Sequence, residues 1–248
     1  MSVDAIGRLE KIRSVIDAEG RVKVAELARA LDVSEMTIRR DLDLLAEQGS
    51  VLRVRGGAVA VGPQPFMERF GHHARAKERI AAKLVDLVGD GGAVGIDAST
   101  TLQRLAAAVG GVRDLTVLTN GPDTFSEMQG RPGVVPLLTG GRLDERTGSL
   151  VGPLASRSVH DFTLRRLFTS AAAVDPAAGT SESTLEDAEA KLAFAEVSAS
   201  IVLAVDSSKL GKQSPARCLG WARIDLLVTE LDPGDDRLDP YRDLVDLR

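Results

Sequence analysis

Cysteine is almost absent from the 248 residues: Cys218 stands alone. No disulfide can form within the chain, and a reducing cytoplasm is the expected setting. Histidine is nearly as scarce. His72, His73 and His160 have no ligand-spaced cysteines beside them, so no structural zinc and no cofactor is expected. No apolar run approaches the ~20 residues that a bilayer-spanning helix needs, and no membrane partner is expected. The opening MSVDAIGRLEK puts an acid and a base where a secretory signal needs an apolar core. Positive charge is not in surplus either. The formal net charge is −5, and residues 1–60 hold ten Lys/Arg against ten Asp/Glu. Any case for a nucleic-acid partner then rests on where the charges lie, not on their number. What is present is ordinary: 44% hydrophobic and 27% charged residues, in a chain long enough for a small domain plus a medium one.

Ile6, Leu9, Ile12 and Ile16 recur at helical spacing up to Gly20, and Val24, Leu27, Ala28 and Leu31 repeat the pattern over a shorter span. Asp32-Val33 breaks it. Ser34 then stands where an N-cap belongs, and Glu35 suits the positive end of the next helix. Ile38, Leu42 and Leu45 form that helix's buried stripe, with Gly49 as its stop. Three helices, the last two joined by a tight turn, predict a helix-turn-helix. VLRVRGGAVAV, residues 51–61, alternates, turns at Gly56-Gly57 and alternates again. This predicts a two-stranded wing with Leu52 and Val54 on one face, Arg53 and Arg55 on the other.

Stepping about 100° per residue from Ile38 puts Met36, Thr37, Arg39 and Arg40 on the outward half of the third helix's first two turns. In a major-groove helix those turns approach the base edges. Arginine can grip guanine through two bonds, and threonine can reach a phosphate or a thymine methyl. Arg53 and Arg55 suit a phosphate or a narrow minor groove. An arginine pair on a helix is usually a solvated face, and Asp43 offers a partner here. The cap, the turn and the wing together favour double-stranded operator DNA, with Ser34, Met36, Thr37, Arg39, Arg40, Arg53 and Arg55 at the interface.

Residues 62–75, with two prolines and His72-His73, read as a linker. Beyond it, helices expected near 76–88, 100–109, 123–129, 153–160 and 185–197 alternate with strands near 93–97, 115–120, 134–140, 166–172, 200–206 and 225–230. Strands that are nearly continuous runs of Val, Leu and Ile predict a mostly parallel sheet covered on both faces. The expected architecture is α/β. A winged helix-turn-helix over 1–61 joins, through the 62–75 linker, a larger mostly parallel α/β domain over 76–248.

TIRRDL, LAEQGSVLRVRGGAV and VKVAELARALDVS resemble the DNA-binding half of DeoR-type bacterial transcriptional regulators. The likeness continues through Pro65-Phe66, Arg69, Lys77 and Ile80-Ala81, then IDASTTLQRLA, LTVLTN, LTGGRLDERTGSLVGP, LEDAEAK and LAVDSSKLG. About the last 17 residues carry no recognisable motif. The resemblance implies a sensor domain similar in fold to ribose-5-phosphate isomerases and amino-sugar phosphate deaminases. It also implies a phosphorylated sugar or related metabolite as effector, repression of a carbohydrate uptake or catabolism operon relieved by that effector, and a homo-oligomer, dimer or tetramer.

The residues offer such a site on their own terms. Loops beyond the carboxyl ends of parallel strands are where these sheets bind ligands. Asp97 ends one strand and Ser99-Thr100-Thr101 opens a helix, whose free amides and hydroxyls suit a phosphate. Thr119-Asn120, Gly140-Gly141-Arg142 and Lys209 end three more strands, and Lys191 joins the expected set. Each has a plainer reading: Ser99 as an N-cap, Gly140-Gly141 as a turn, Lys191 as a solvated lysine, Asp97 as a holder of loop amides. The rival function is a sugar-phosphate isomerase with an appended DNA module, which needs carboxylates placed to move a proton between carbons. The loop where that fold carries them has Ser170, Ala172 and Ala173 where DeoR-type chains usually keep glycines and an aspartate, and retains Asp175 alone, so no catalysis is expected. Ser99 also departs from the family's usual glycine.

Overall fold

Apolar spacing at period 3.6 in the first 47 residues, and paired short strands after them, give one unit; buried strands alternating with helices give another. The structure, a computed structural model, describes residues 3–19, 21–47, 51–60 and 66–248. The expected stops at Gly20 and Gly49, the prolines at 63 and 65, and the side chain of Ile6 lie outside the described residues. The two units are Met1–Arg69 and Phe70–Arg248. Among the described residues no helix is long and apolar enough to cross a membrane.

The first unit comprises α1 (Val3–Glu19), β1 (Arg21–Lys23), α2 (Val24–Ala30), α3 (Glu35–Glu47), β2 (Val51–Val54) and β3 (Gly57–Ala60). Leu9, Ile12 and Ile16 of α1 bury against Leu27 and Ala28 of α2, Ile38, Leu42 and Leu45 of α3, and Val51 and Ala58 of the wing. The wing differs from expectation in two ways. It is three-stranded, in the order β1-β3-β2, because Arg21–Lys23 pairs antiparallel with Val59–Gly57. A Cβ at Gly57 would lie 1.9 Å from the Val22 carbonyl oxygen, so only glycine admits that third strand. The second difference is the wing's outward face, which is apolar: Leu52 and Val54 are 58% and 45% exposed. Arg53 shares the face of buried Val51 instead.

The stretch expected as a plain linker carries α4 (Phe66–Gly71), and α5 (Ala74–Val88) begins earlier than expected, after His73 in left-handed conformation, φ 53°. There follow β4 (Ala93–Ile96), α6 (Thr100–Ala108), β5 (Leu115–Thr119), α7 (Pro122–Met128), β6 (Val134–Leu138), β7 (Arg142–Asp144), β8 (Ser149–Val151) and α8 (Pro153–Val159). The chain continues through β9 (Arg166–Thr169), β10 (Ala173–Asp175), β11 (Gly179–Glu182), α9 (Leu185–Glu196), β12 (Ile201–Ala204), β13 (Ala216–Arg217), β14 (Leu226–Val228) and β15 (Asp246–Leu247).

The main sheet has seven strands, all parallel, in the order β15-β14-β12-β9-β4-β5-β6. Successive residues alternate between its two cores. Val94, Ile96, Val117, Phe168, Val202 and Val228 pack under α5, α6 and α7. Leu118, Leu167, Ile201, Leu203 and Leu227 pack against α8, α9 and the C-terminal turns around Leu238 and Tyr241. Counting 25 cal/mol per Å² of apolar surface removed from water, each fully buried leucine or isoleucine contributes about 2 kcal/mol. The motif-free C-terminus thus completes one core and adds the edge strand β15. A hairpin, β7-β8, and a small antiparallel sheet, β10-β11-β13, stand beside the main sheet. Their strands of two to four residues are too short for periodicity to betray.

Candidate nucleic-acid interface and sensor site

The N-terminal turns of α3 are built as a capped, outward-facing surface. The Ser34 hydroxyl oxygen accepts from the Thr37 amide at 3.2 Å and bonds the Thr37 hydroxyl at 2.9 Å, satisfying a donor that the helix start leaves open. Met36, 64% exposed, stands out beside exposed Arg39 and Arg40. Arg39 Nη2 donates to Glu35 Oε2 at 3.1 Å, one turn earlier. Asp43 is not the partner of that arginine pair. It accepts instead from Arg53 Nε at 2.7 Å, and Arg53 Nη1 also donates to the Gly57 carbonyl. The wing arginine expected to point at DNA is therefore tied to α3, because β2 turns its apolar face outward. Arg55 lies exposed at the turn between β2 and β3.

In the second unit, chain order reverses between β4 and β9. From β4 the chain proceeds outward to β5 and β6; from β9 it proceeds the other way, to β12, β14 and β15. At such a switch point the helices on the two faces diverge and leave a crevice beyond the strand ends. Asp97 sits there, 1% exposed. Its Oδ2 accepts from the Thr169 hydroxyl and the Ser170 amide, both at 2.8 Å, and its Oδ1 from the Ser99 amide at 2.8 Å. Lys191 Nζ lies 3.4 Å from Asp97 Oδ2 and donates to Glu182 Oε1 at 2.7 Å and to the Ser170 carbonyl at 2.8 Å. Burial pushes the Asp97 carboxyl up, but the Lys191 ammonium and the amides of Ser170 and Ser99 outweigh it and hold its pKa below the usual value. For Glu182 burial prevails and its pKa is raised. Burial pulls Lys191 down, yet Glu182 and Asp97 hold its pKa above that of a free lysine.

Neighbouring strand ends close around this cluster. Lys209 Nζ donates to the Ala171 carbonyl at 2.6 Å and to Ser170 Oγ at 3.3 Å, joining the turn after β12 to the end of β9. Asn120 clips the loop after β4 to the hairpin: its Oδ1 accepts from the Ala98 amide and its Nδ2 donates to the Leu150 carbonyl, each at 3.2 Å. Thr119 Oγ1 accepts from the Gly121 amide at 3.0 Å. Ser99 caps α6, accepting from the Leu102 amide at 3.3 Å, and Thr100 and Thr101 are buried in the first turn. Among the described residues the hydroxyls of Thr101 and Thr139 are buried without a hydrogen-bond partner. Gly141 has φ +126°, and a Cβ there would meet Ala155 Cβ at 2.9 Å, so the turn itself requires the glycine. Arg142 stands exposed on β7 opposite Val151 and does not join the bonded cluster.

A family model described as "DeoR C terminal sensor domain" matches residues 72–231, and one described as "DeoR-like helix-turn-helix domain" matches residues 8–64. The chain belongs to the DeoR family of transcriptional regulators. It is 32% identical to the HTH-type transcriptional regulator GolR of Listeria innocua, over 90% of this chain and 89% of that protein. It is 29% identical to a putative aga operon transcriptional repressor of Escherichia coli O157:H7, over 95% and 90% of the two chains. A third relative is the glycerol-3-phosphate regulon repressor of Escherichia coli K12, 28% identical over 90% and 89%. Among solved structures, ribose 5 phosphate isomerase A from Neisseria gonorrhoeae is a loose match: 20% identity, 54% of this chain and 52% of that one, TM-score 0.38.

One residue of this DeoR sensor domain escaped the sequence reading, and two that it met only in matching motifs, Lys77 and Asp206, were not placed in the site. Glu182 lies at the end of β11, a strand too short to detect, and reaches the cluster only through Lys191. Lys77, buried in the first turn of α5, and Asp206, buried after β12, act on one another electrostatically. Burial raises the Asp206 carboxyl, but Lys209, the Ser208 hydroxyl, His73 and Lys77 outweigh it and hold its pKa low. A lysine inside an otherwise apolar helical stripe, Lys77 beside Ile80, Ala81 and Leu84, was the one available signal. Asp175 is remote from any acid pair in role: its Oδ1 accepts from the Ala177 and Ala178 amides at 2.9 and 2.8 Å, closing the β10-β11 turn.

Proposed function

We propose that the chain is an operator-binding repressor of carbohydrate uptake or catabolism genes, released by a phosphorylated sugar or related metabolite, and that it works as a homo-oligomer. Ser34, Met36, Thr37, Arg39 and Arg40 meet the duplex, with Arg55 from the wing. Asp97, Ser99, Thr100, Thr101, Thr119, Asn120, Gly140, Gly141, Arg142, Lys191 and Lys209 build or flank the effector site. The names of the aga operon and glycerol-3-phosphate regulon relatives support the carbohydrate reading. One observation carries the sensor: the strand ends at the β4/β9 reversal gather hydroxyls, helix-start amides and the Lys209 ammonium. There Asp97, Asn120 and Lys191 hold the loops, while Lys209 and the N-terminal turn of α6 suit a phosphate. Binding releases DNA if the liganded subunit arrangement no longer matches the half-site spacing. The test is a thermal-shift and operator-release panel of sugar phosphates. One compound that raises the melting point and releases DNA, without being consumed, supports the sensor. A broad panel with neither effect counts against it.

A second reading has one observation in its favour. Glu182 and Asp97 share Lys191, so two carboxylates do meet at the strand ends, though neither comes from the loop read for them. An isomerase needs a carboxylate free to take a carbon-bound proton. Both of these are engaged by Lys191 or by backbone amides, and we therefore assign no turnover to the site. Isomerisation of a sugar phosphate by the purified chain, lost in Glu182→Gln, would reverse that assignment.

A further inference from the structure

The acidic residue that follows the arginine pair has no part in the outward surface. Asp41 is 7% exposed and lies on the buried face of α3 with Ile38, Leu42 and Leu45. Arg8 of α1 reaches it with two bonds: Nε to Oδ2 at 2.6 Å and Nη2 to Oδ1 at 3.2 Å. We propose that Asp41 is a positioning residue, which sets the roll of α3 about its own axis through this forked pair and so decides which base edges Arg40 meets. The inference rests on α3 being the helix that reads DNA.

The physical need for such a device follows from what surrounds it. Leu9, Ile12 and Ile16 of α1 face Ile38, Leu42 and Leu45 of α3, and aliphatic contacts hold two helices together without fixing their rotation. The tip of an arginine on α3 lies about 8 Å from the helix axis once its length is added to the helix radius, so a roll of about 10° displaces it by about 1.5 Å. That displacement exceeds the tolerance of a bidentate contact to a guanine edge. A guanidinium and a carboxylate meeting through two parallel bonds have one planar geometry, and this one joins the two helices across their aliphatic seam. A partly buried ion pair of this kind, with the Arg8 side chain 22% exposed, contributes little net stability, which leaves orientation as its better use. A second tether on α3, from Asp43 to Arg53, is of a different kind. Asp43 lies two residues on, about 200° around the helix, and its side chain is 60% exposed, so its bond to Arg53 is screened by solvent.

Charge follows the same geometry. Asp41 and Asp43 would each repel phosphates from the reading helix, and each is matched by an arginine from another element. A module with no net positive charge can in this way present arginines to DNA.

The test uses the full chain and a duplex selected by that chain from a random pool. Arg8→Lys keeps the positive charge and loses the fork; Asp41→Asn keeps the shape and loses the charge. Affinity is measured for the selected duplex and for a random duplex of equal length, with the melting temperature of each variant. The inference expects Arg8→Lys to lower the selected-to-random ratio about tenfold, at the same base positions whose preference Arg40→Ala loses, with random-duplex affinity within about twofold. An unchanged ratio overturns it. So does a loss on both duplexes in proportion to a fall in melting temperature, which makes the pair a prop of the fold alone. Should Asp41→Asn unfold the unit, Arg8→Lys still decides. If the parent chain enriches no sequence, the DNA reading itself fails and this inference with it; if Arg40→Ala keeps full discrimination, Arg40 reads no base and this inference alone fails.

Discussion

Replacing Lys191 by methionine keeps most of the side chain's length and removes the ammonium between Asp97 and Glu182. The side chains are 13%, 2% and 6% exposed respectively, so the two carboxylates lose their counter-charge inside the domain. Leaving one partner of a buried pair uncompensated costs about 3–5 kcal/mol. At about 2–4 °C per kcal/mol for a domain of this size, the melting temperature at neutral pH should fall by roughly 6–20 °C. The pH dependence has a definite sign. Glu182 has a raised folded pKa, so its contribution is complete below the ordinary value of 4.5 and is lost as pH rises through the folded value. Asp97 has a lowered one, so its contribution is present above 3.8 and is lost as pH falls through the folded value. Without Lys191 both carboxyls take up protons more readily, and protonation removes the stranded charge. The variant's deficit should therefore shrink from neutrality toward about pH 5, while Glu182→Gln in the same variant should restore part of it at neutral pH. Calorimetry of the full chain at both pH values measures this. A variant melting within about 2 °C of the parent at neutral pH, or a deficit that does not shrink in acid, refutes the buried-triad reasoning.

Three further outcomes are expected. Arg40→Ala should weaken operator binding by about 1–3 kcal/mol and random-duplex binding by much less, as seen by titration of labelled duplexes; equal losses make Arg40 a phosphate contact. Operator affinity should fall steeply between low and moderate salt despite the net charge of −5, because local phosphate contacts set the slope. A flat titration contradicts the interface drawn for α3. Lys209→Ala should abolish effector-driven release while leaving operator affinity unchanged; release at the parent's effector concentration removes Lys209 from the site.

Periodicity made the helices of the first unit legible, since Leu9, Ile12 and Ile16 and Ile38, Leu42 and Leu45 repeat at helical spacing and all are buried. The long parallel strands were legible for a similar reason: Val94–Ile96, Leu115–Thr119 and Ile201–Ala204 are apolar runs bounded by polar turns. The N-cap roles of Ser34 and Ser99 were legible because a cap bonds within its own turn. The pairing of Arg53 was not, because alternation gives the two faces of a ribbon but not which one meets α3. Glu182 was invisible for a related reason. Its partner Lys191 lies on another element, and nothing local marks a glutamate on a four-residue strand as buried.

The amino-acid sequence alone determined the longer helices and the apolar strands of the main sheet, the N-cap of the third helix, and which polar residues fall at the ends of those strands. Those properties are local, set by the period of apolar residues and by bonds that close within one turn. Tertiary structure alone decided the strand order, and with it that β4 and β9 are neighbours at the reversal, so that Asp97 meets Thr169 and Ser170. It also decided that Arg8 grips Asp41 and that Lys191 lies between two carboxylates. Contacts between residues distant in the chain depend on how whole elements pack, and no short stretch of sequence carries that information.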